Sequence, residues 1–179
     1  MQNNRNNSKR RSVTSRRGKL NERPRVEVSA GGFVYKRTRS GIYVALLKDS
    51  FGKWTFPKGH VRRSESNEQG AAREIREEMG IKDLRLKMPL GSIDIWFRDR
   101  YVFKGKLIHK YIHYFLFETP SYTKLRKPHP KQGGERIQAV RWIPLHEVQK
   151  TSTYKDMKPI IKKAISALDK LNKPRDHRV

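Results

Sequence analysis

Acidic side chains recur at fixed spacing within one stretch of this otherwise basic chain, from Gly59 to Ile81. Glu74, Glu77 and Glu78 stand at positions i, i+3 and i+4, so a helix places them on one face. Three carboxylates within one turn repel each other, and a hard cation would remove that cost. Because only oxygen ligands are offered, the spacing predicts a Mg²⁺ site, with Mn²⁺ as a substitute, rather than a zinc site. The alternative is an acidic helix face that binds only solvent.

The residues around the carboxylates predict where this helix begins and ends. Ser66 and Gln69 form the S-x-x-Q pattern of a capping box, and Gly80 is placed for a left-handed C-terminal turn. Arg73 lies four residues before Glu77 and is predicted to pair with it, which would orient that carboxylate. One apolar face is predicted toward a core, at Ala71, Ala72, Ile75 and Met79.

The whole stretch is similar to the Nudix box, G-x5-E-x7-R-E-U-x-E-E-x-G-U, in which U is a bulky aliphatic residue. Every fixed position of that pattern is met, and the resemblance extends over most of the chain, residues 27–168. The resemblance implies an α/β fold, a Nudix-type α/β/α sandwich with a mixed central sheet. It also implies Mg²⁺-dependent hydrolysis of a nucleoside diphosphate linked to another group. The matching residues are Gly59, Glu65, Arg73, Glu74, Ile75, Glu77, Glu78, Gly80 and Ile81.

The resemblance assigns roles to single residues of the box. Glu74, Glu77 and Glu78 are the expected metal ligands, and Glu77 or Glu135 is the expected general base. Glu135 follows a long loop that in Nudix proteins often supplies one more carboxylate. The alternative role for Glu135 is that of a loop carboxylate paired with a nearby basic side chain. Arg73 completes the expected catalytic set with a structural and electrostatic role.

Substrate contacts are expected on both sides of the box. Lys58 and His60 would stand beside the metal and are suited to phosphate oxygens. Tyr111 could stack on a base, although an aromatic residue on a strand more often packs in a core. Lys131, in a basic loop at 119–134, could grip a polyphosphate or RNA, since long loops in compact domains are often functional. Glu65 is expected to support the geometry of the loop and helix.

The apolar residues and glycines outside the box predict the sheet that must position these side chains. Residues 107–118 carry apolar side chains on both alternating faces, which predicts a central strand covered on both sides. The paired Gly31 and Gly32 predict a bend or a close backbone approach. Gly59 is expected to make a sharp turn into the box. Further strands are predicted at 26–36, 42–48, 84–97 and 137–143, and helices at 145–148 and 156–171.

The charge balance is extreme for 179 residues: 42 Lys and Arg oppose 17 Asp and Glu, a formal net charge of +25. Such a charge predicts polyanionic partners, either phosphorylated metabolites or nucleic acid. The chain has no cysteine, so it has no disulfide framework, which is compatible with a reducing, cytoplasmic location. No apolar run is long enough for a membrane span, and the N-terminus has no hydrophobic signal segment. We therefore expect no membrane partner.

The composition divides the chain into three parts. Residues 1–25 are predicted to be a disordered basic arm, because they contain almost no large apolar residue. The arm could order on RNA or remain a solvated tail. Residues 26–171 are the predicted Nudix domain, and residues 172–179 are predicted to fray. No pattern indicates an oligomeric state.

The W-x-F-P-K-G-H run at 54–60 resembles the Nudix subgroup that cleaves dinucleoside polyphosphates. The favoured function is therefore hydrolysis of a polyphosphorylated nucleotide such as Ap4A. An RNA 5′-pyrophosphohydrolase and a diphosphoinositol polyphosphate hydrolase are the alternatives within enzymes. An RNA- or ribosome-binding Nudix-domain protein is the alternative of another class.

Overall fold

The computed structural model describes residues 23–100, 102–128 and 136–172. The basic arm up to residue 22, the predicted site residues Lys131 and Glu135, and the tail from residue 173 lie outside these ranges. The elements are β1 (Arg25–Thr38), β2 (Gly41–Lys48), β3 (Trp54–Thr55), β4 (Lys58–His60), α1 (Asn67–Met79), β5 (Arg85–Arg98), β6 (Leu107–Glu118), β7 (Ala139–Pro144), α2 (Val148–Thr151) and α3 (Lys158–Asn172), with 3-10 turns at Leu145–Glu147 and Lys155–Met157.

The described strands form one mixed sheet, in the order β3-β2-β1-β6-β5, with β4 also paired to β1 and β7 to β2. β1 and β6 run parallel. β6 coincides with the predicted strand at 107–118 and lies between β1 and β5, as its apolar pattern predicted. The predicted strands at 26–36, 42–48, 84–97 and 137–143 correspond to β1, β2, β5 and β7. The short strands β3 and β4 were not predicted.

The sheet has a helix on each face, which confirms the predicted α/β/α sandwich. Side chains of β1 alternate between the two faces: Phe33 and Tyr35 pack with α3, while Ala30 and Val34 pack with α1. We call these the α3 face and the α1 face. No helix among the described residues is both long and apolar enough to cross a membrane.

Helix α1 begins and ends where its sequence predicted. The Ser66 side chain accepts a hydrogen bond from the Gln69 backbone N–H, and the Gln69 side chain accepts one from the Ser66 backbone N–H. Gly80 has a φ of 70° and donates its N–H to the carbonyl of Arg76. The predicted apolar face packs on the sheet, where the buried residues are Gly70, Ala71, Ile75 and Met79.

The paired glycines of β1 allow the close approach that was predicted for them. A Cβ on Gly32 would collide with the Ile75 side chain of α1. A Cβ on Gly31 would meet the backbone oxygen of Pro57 and would lie 2.8 Å from the Lys58 Cβ and 2.9 Å from the Tyr114 ring. Gly31 therefore lets β4 lie directly against β1, and Gly32 lets α1 do the same.

We expect Gly31→Ala to lower the free energy of unfolding by about 1–3 kcal/mol. The added methyl group meets backbone and a buried ring, so it can be accommodated only if β4 shifts. Urea unfolding followed by far-UV circular dichroism measures the loss. Ser92→Ala, on an exposed part of β5, is the control. Equal stability of the two variants would contradict the proposed tight packing.

The prediction of a sharp turn at Gly59 was wrong. Gly59 lies inside β4 and pairs with Ala30 of β1, and it is absent from the glycines with positive φ. The position needs a glycine for another reason, because a Cβ there would occupy the space of the Glu74 carboxylate.

Candidate active site

Two carboxylates of α1, those of Glu74 and Glu78, contact β4. Glu74 packs its carboxylate against the Cα of Gly59. Glu78 accepts a hydrogen bond at Oε2 from the backbone N–H of Lys58, at 3.0 Å. These contacts fix two carboxylates of the box along the same three-residue strand.

Arg73 joins the loop before α1 to the acidic face of the helix. Its Nε and Nη2 donate to the two oxygens of Glu65 at 2.6 and 3.1 Å, and Nη2 also donates to the carbonyl of His60 at 2.8 Å. Its Nη1 donates to Glu74 at 2.5 Å and lies 3.5 Å from Glu77 Oε1. The predicted pair with Glu77 is thus present, within a larger network. The Arg73 side chain is only 15% exposed, so this network is shielded from solvent.

The Glu77 side chain is more exposed to solvent than that of Glu74. Its Oε1 lies 3.4 Å from Arg62 Nη2 and 3.5 Å from Arg73 Nη1. Its side chain is 29% exposed, whereas that of Glu74 is 13% exposed. Of these two carboxylates, Glu77 is the more accessible to water and to a ligand.

The Arg73 guanidinium beside Glu65 holds the pKa of that carboxyl below its usual range, and the Arg62 backbone N–H adds to the effect. Because the charged form is favoured in the folded state, Glu65 stabilises the fold above its ordinary pKa. This contribution is lost as the pH falls through the lowered pKa.

We therefore expect the difference in unfolding free energy between the wild type and Glu65→Gln to be constant near neutral pH. It should shrink as the pH falls through the ordinary pKa of glutamate, where the unfolded chain takes up a proton, and vanish below the lowered pKa of the folded protein. Urea unfolding of both proteins across this range measures the difference. A difference that does not change with pH would show that the Glu65 charge does not stabilise the fold.

His60 is fixed by an acidic residue that sequence reasoning missed. Glu27 Oε2 lies 3.0 Å from His60 Nε2 and 3.9 Å from Lys110 Nζ. Glu27 and His60 are far apart in sequence, and the pairing of Ser29 with His60 across β1 and β4 brings them together. No local pattern indicates this contact.

The sheet separates two groups of predicted substrate contacts. Lys58 and His60 alternate with Gly59, whose Cα faces α1, so their side chains lie on the α3 face. Tyr111 alternates with Ile112, which packs on the α3 face, so Tyr111 lies on the α1 face. The structure therefore does not bring Tyr111 together with Lys58 and His60.

The first part of the basic loop packs beside the C-terminus of α1. The Arg126 backbone N–H donates to the carbonyl of Met79 at 2.9 Å, and Trp142 Nε1 donates to the carbonyl of Thr123 at 3.2 Å. Lys127 then lines a cavity of about 330 Å³ together with Ser50, Arg136 and Gln138.

The donor chemistry of the acidic face suits a hard cation, because Glu74, Glu77 and Glu78 offer only carboxylate oxygens. Gly59 adds to this fit by leaving room for the Glu74 carboxylate. Within the part of the chain that the structure describes, no three His, Cys, Asp or Glu side chains converge closely enough to hold a metal ion. Contacts to arginine and to the backbone hold these carboxylates instead.

A family profile described as NUDIX domain matches residues 26–164. The chain belongs to the Nudix family. It is a Nudix hydrolase of the pyrophosphohydrolase class, in agreement with the box and the α/β/α fold.

Curated relatives of this Nudix hydrolase include two enzymes named bis(5′-nucleosyl)-tetraphosphatase [asymmetrical]. The one from Sus scrofa is 31% identical over 141 residues, covering 77% of this chain and 81% of its own length. The one from Caenorhabditis elegans is 31% identical over 137 residues, covering 75% and 91%. A Mycobacterium tuberculosis protein that carries the name mutator protein MutT4 is 33% identical over 174 residues. That match covers 90% of this chain but only 63% of the mycobacterial protein.

Among solved structures, the Nudix hydrolase is similar to a C. elegans Ap4A hydrolase in a binary complex. The TM-score is 0.63 and the identity 25%, and the match covers 80% of this chain and 98% of the other.

Proposed function

We propose that this Nudix hydrolase cleaves a phosphoanhydride bond in a dinucleoside polyphosphate such as Ap4A. The names and coverage of the asymmetrical tetraphosphatases support this substrate class. The observation that carries the proposal is the contact of two α1 carboxylates with β4, where Glu74 and Glu78 are held against Gly59 and Lys58. A phosphate site beside β4 would have carboxylates on one side of the strand and the side chains of Lys58 and His60 on the other.

The residues that would hold Mg²⁺, or Mn²⁺ in its place, are Glu74, Glu77 and Glu78. When bound, the cation neutralises negative charge on the phosphate oxygens and activates water for attack. Arg73 keeps the carboxylates oriented through its contacts to Glu65 and Glu74. Because it touches these side chains rather than the predicted substrate, Arg73 is a positioning residue in this proposal.

Hydrolysis needs a base for the proton of the attacking water. The water oxygen forms a bond to phosphorus, the bond from phosphorus to the bridging oxygen breaks, and the released phosphate keeps the bonding electrons. Glu77 takes the proton in this scheme, because its carboxylate is more exposed to water than that of Glu74. Glu135 is the other candidate base, and Lys131 and Tyr111 remain candidate substrate contacts.

We expect the protein to convert Ap4A and water to AMP and ATP in the presence of Mg²⁺, which is the asymmetrical outcome. Anion-exchange chromatography separates these products from two molecules of ADP. Hydrolysis in ¹⁸O-labelled water then shows which phosphorus is attacked, because the label enters one product. Release of two ADP molecules would contradict the asymmetrical cleavage.

The same assay separates the alternative enzymes, since triphosphorylated RNA and a diphosphoinositol phosphate are tested beside Ap4A. The net charge of +25 suits each of these polyanions. Release of pyrophosphate from the RNA without turnover of Ap4A would replace our proposal with an RNA 5′-pyrophosphohydrolase.

A further inference from the structure

A cavity of about 650 Å³ lies at the end of the sheet opposite to the proposed active site. It forms where the C-terminal ends of β1 and β6 meet the segment that joins α1 to β5. Ala30 of β1 pairs with Gly59, and the strand from Ala30 to Arg37 spans roughly 23 Å at about 3.3 Å per residue. We call this space the Arg37 cavity. Its charged lining residues are Arg37, Lys82, Asp83, Arg85 and Glu118.

Positive charge exceeds negative charge in the Arg37 cavity. Glu118 is shared between two cations, because its Oε1 lies 3.6 Å from Arg37 Nε and its Oε2 lies 3.2 Å from Lys87 Nζ. Lys82 and Arg85 form no ion pair with another residue that the structure describes. The cations of the lining therefore outnumber its carboxylates, and two of them are available to a ligand.

A buried hydroxyl group lies beside the pair of Arg37 and Glu118. The Tyr35 side chain is fully buried, and the Arg37 guanidinium carbon is 5.4 Å from the centre of its ring. Arg37 and Glu118 are the charged neighbours of the hydroxyl, but no described residue is in hydrogen-bonding geometry with it. Burial raises the pKa of the Tyr35 hydroxyl, and the Glu118 carboxylate raises it further. The group therefore stays protonated and can donate a hydrogen bond.

The size and the lining of the Arg37 cavity restrict the kind of ligand. Its volume is typical of small-molecule sites. Leu84 and Pro120 are its apolar lining residues, so an apolar ligand would leave the charged side chains without partners. A cation would be repelled by the excess of positive charge. An anion with several oxygens meets these conditions, because guanidinium groups bind such anions through paired hydrogen bonds.

We propose that the Arg37 cavity binds a phosphate group, either free phosphate or the phosphate of a small nucleotide. Arg85 and Lys82 supply unpaired positive charge, and Arg37 supplies a second guanidinium group. A phosphate oxygen bound beside Arg37 would be an acceptor for the Tyr35 hydroxyl. Glu118 opposes binding in this arrangement, because it competes with the ligand for Arg37. The inference goes beyond the hydrolysis proposed above and does not depend on it.

Nuclear magnetic resonance of the ¹⁵N-labelled full chain tests the proposal, with inorganic phosphate and AMP as separate probes. EDTA in the titrations prevents metal-dependent binding at the carboxylates of α1. We expect the backbone amide signals of residues 82–85 and 118–119 to shift together, with one dissociation constant for each probe. Shifts that are confined to β4 and α1 would overturn the proposal.

Two substitutions with opposite expected effects test the role of charge. Arg85→Ala should weaken phosphate binding about tenfold, since it removes a charged hydrogen-bond donor. Glu118→Gln should strengthen binding, because Arg37 and Lys87 lose their shared carboxylate. Arg39→Ala removes an exposed arginine of the β1–β2 turn and is the control for the loss of one positive charge. Equal affinities of Arg85→Ala and Arg39→Ala, or weaker binding by Glu118→Gln, would contradict the proposed site.

Tyr35→Phe keeps the buried ring and removes the hydroxyl. Its melting temperature should be no lower than that of the wild type, because a buried donor without a partner is lost, but it should bind phosphate more weakly. Unchanged affinity would remove the hydroxyl from the ligand contacts.

The two probes distinguish the sources of the phosphate group. Equal dissociation constants would assign the cavity to free phosphate, whereas tighter binding of AMP would assign it to a nucleotide. Arg85→Ala should hydrolyse Ap4A at the wild-type rate, because Arg85 lies outside the proposed active site. Binding at the Arg37 cavity and hydrolysis at α1 can therefore fail independently of each other.

Discussion

Glu77→Gln is expected to lower kcat for nucleotide hydrolysis about 10³-fold, which corresponds to about 4 kcal/mol of transition-state stabilisation. The substitution keeps the shape of the side chain but removes its charge and its capacity to accept a proton. Glu77 has long contacts to Arg62 and Arg73 and a partly exposed carboxylate, so the fold should not depend on it. Steady-state kinetics with Ap4A and Mg²⁺ measure the effect, and thermal unfolding checks the fold.

Glu68→Gln is the matched control for this prediction. Glu68 is an exposed carboxylate in the first turn of the same helix, so the variant removes one negative charge without touching the proposed site. Calorimetry with Mg²⁺ should show weaker binding only for Glu77→Gln. Near-normal turnover by Glu77→Gln would remove Glu77 from both of its proposed roles.

Gly59→Ala is expected to lower kcat/KM about 10²-fold, since small displacements of a catalytic group have effects of this size. The new methyl group would occupy the position of the Glu74 carboxylate. That side chain can move more easily than the strand, because β4 is hydrogen-bonded to β1 along its length. The variant should therefore fold while losing the position of one proposed metal ligand.

A double-mutant cycle that combines Gly59→Ala with Glu74→Gln tests whether the loss comes from displacement of Glu74. If Gly59→Ala acts by displacing Glu74, then the double variant should be no less active than Glu74→Gln alone. Additive losses would show that the glycine acts through another contact, such as the strand pairing with Ala30.

The bounds and the buried face of α1 were predictable because their signals are local. Ser66, Gln69 and Gly80 lie within or beside the helix, and each makes the capping contact that its residue type predicts. The three- and four-residue spacing of Ile75 and Met79 likewise determines which face is buried. The presence of β6 and its central position followed from its apolar pattern in the same way.

Contacts between distant segments were not predictable, because strand register decides them. The contact of His60 with Glu27 needs the pairing of β4 with β1. Gly59 was expected to turn, but its lack of a side chain instead admits Glu74 from the helix. Tyr111 lies on the opposite face from Lys58 and His60, which follows only from the arrangement of β1, β4 and β6.

The sequence by itself determined the family, the bounds of helix α1 and the acidic side chains on it, because these depend on residue types at fixed local spacing. The tertiary structure decided which strand those carboxylates contact, how Arg73 joins them to the preceding loop, and which charged side chains meet around the Arg37 cavity. Those features depend on register and on the packing of distant segments, and neither is encoded by any short segment of the chain.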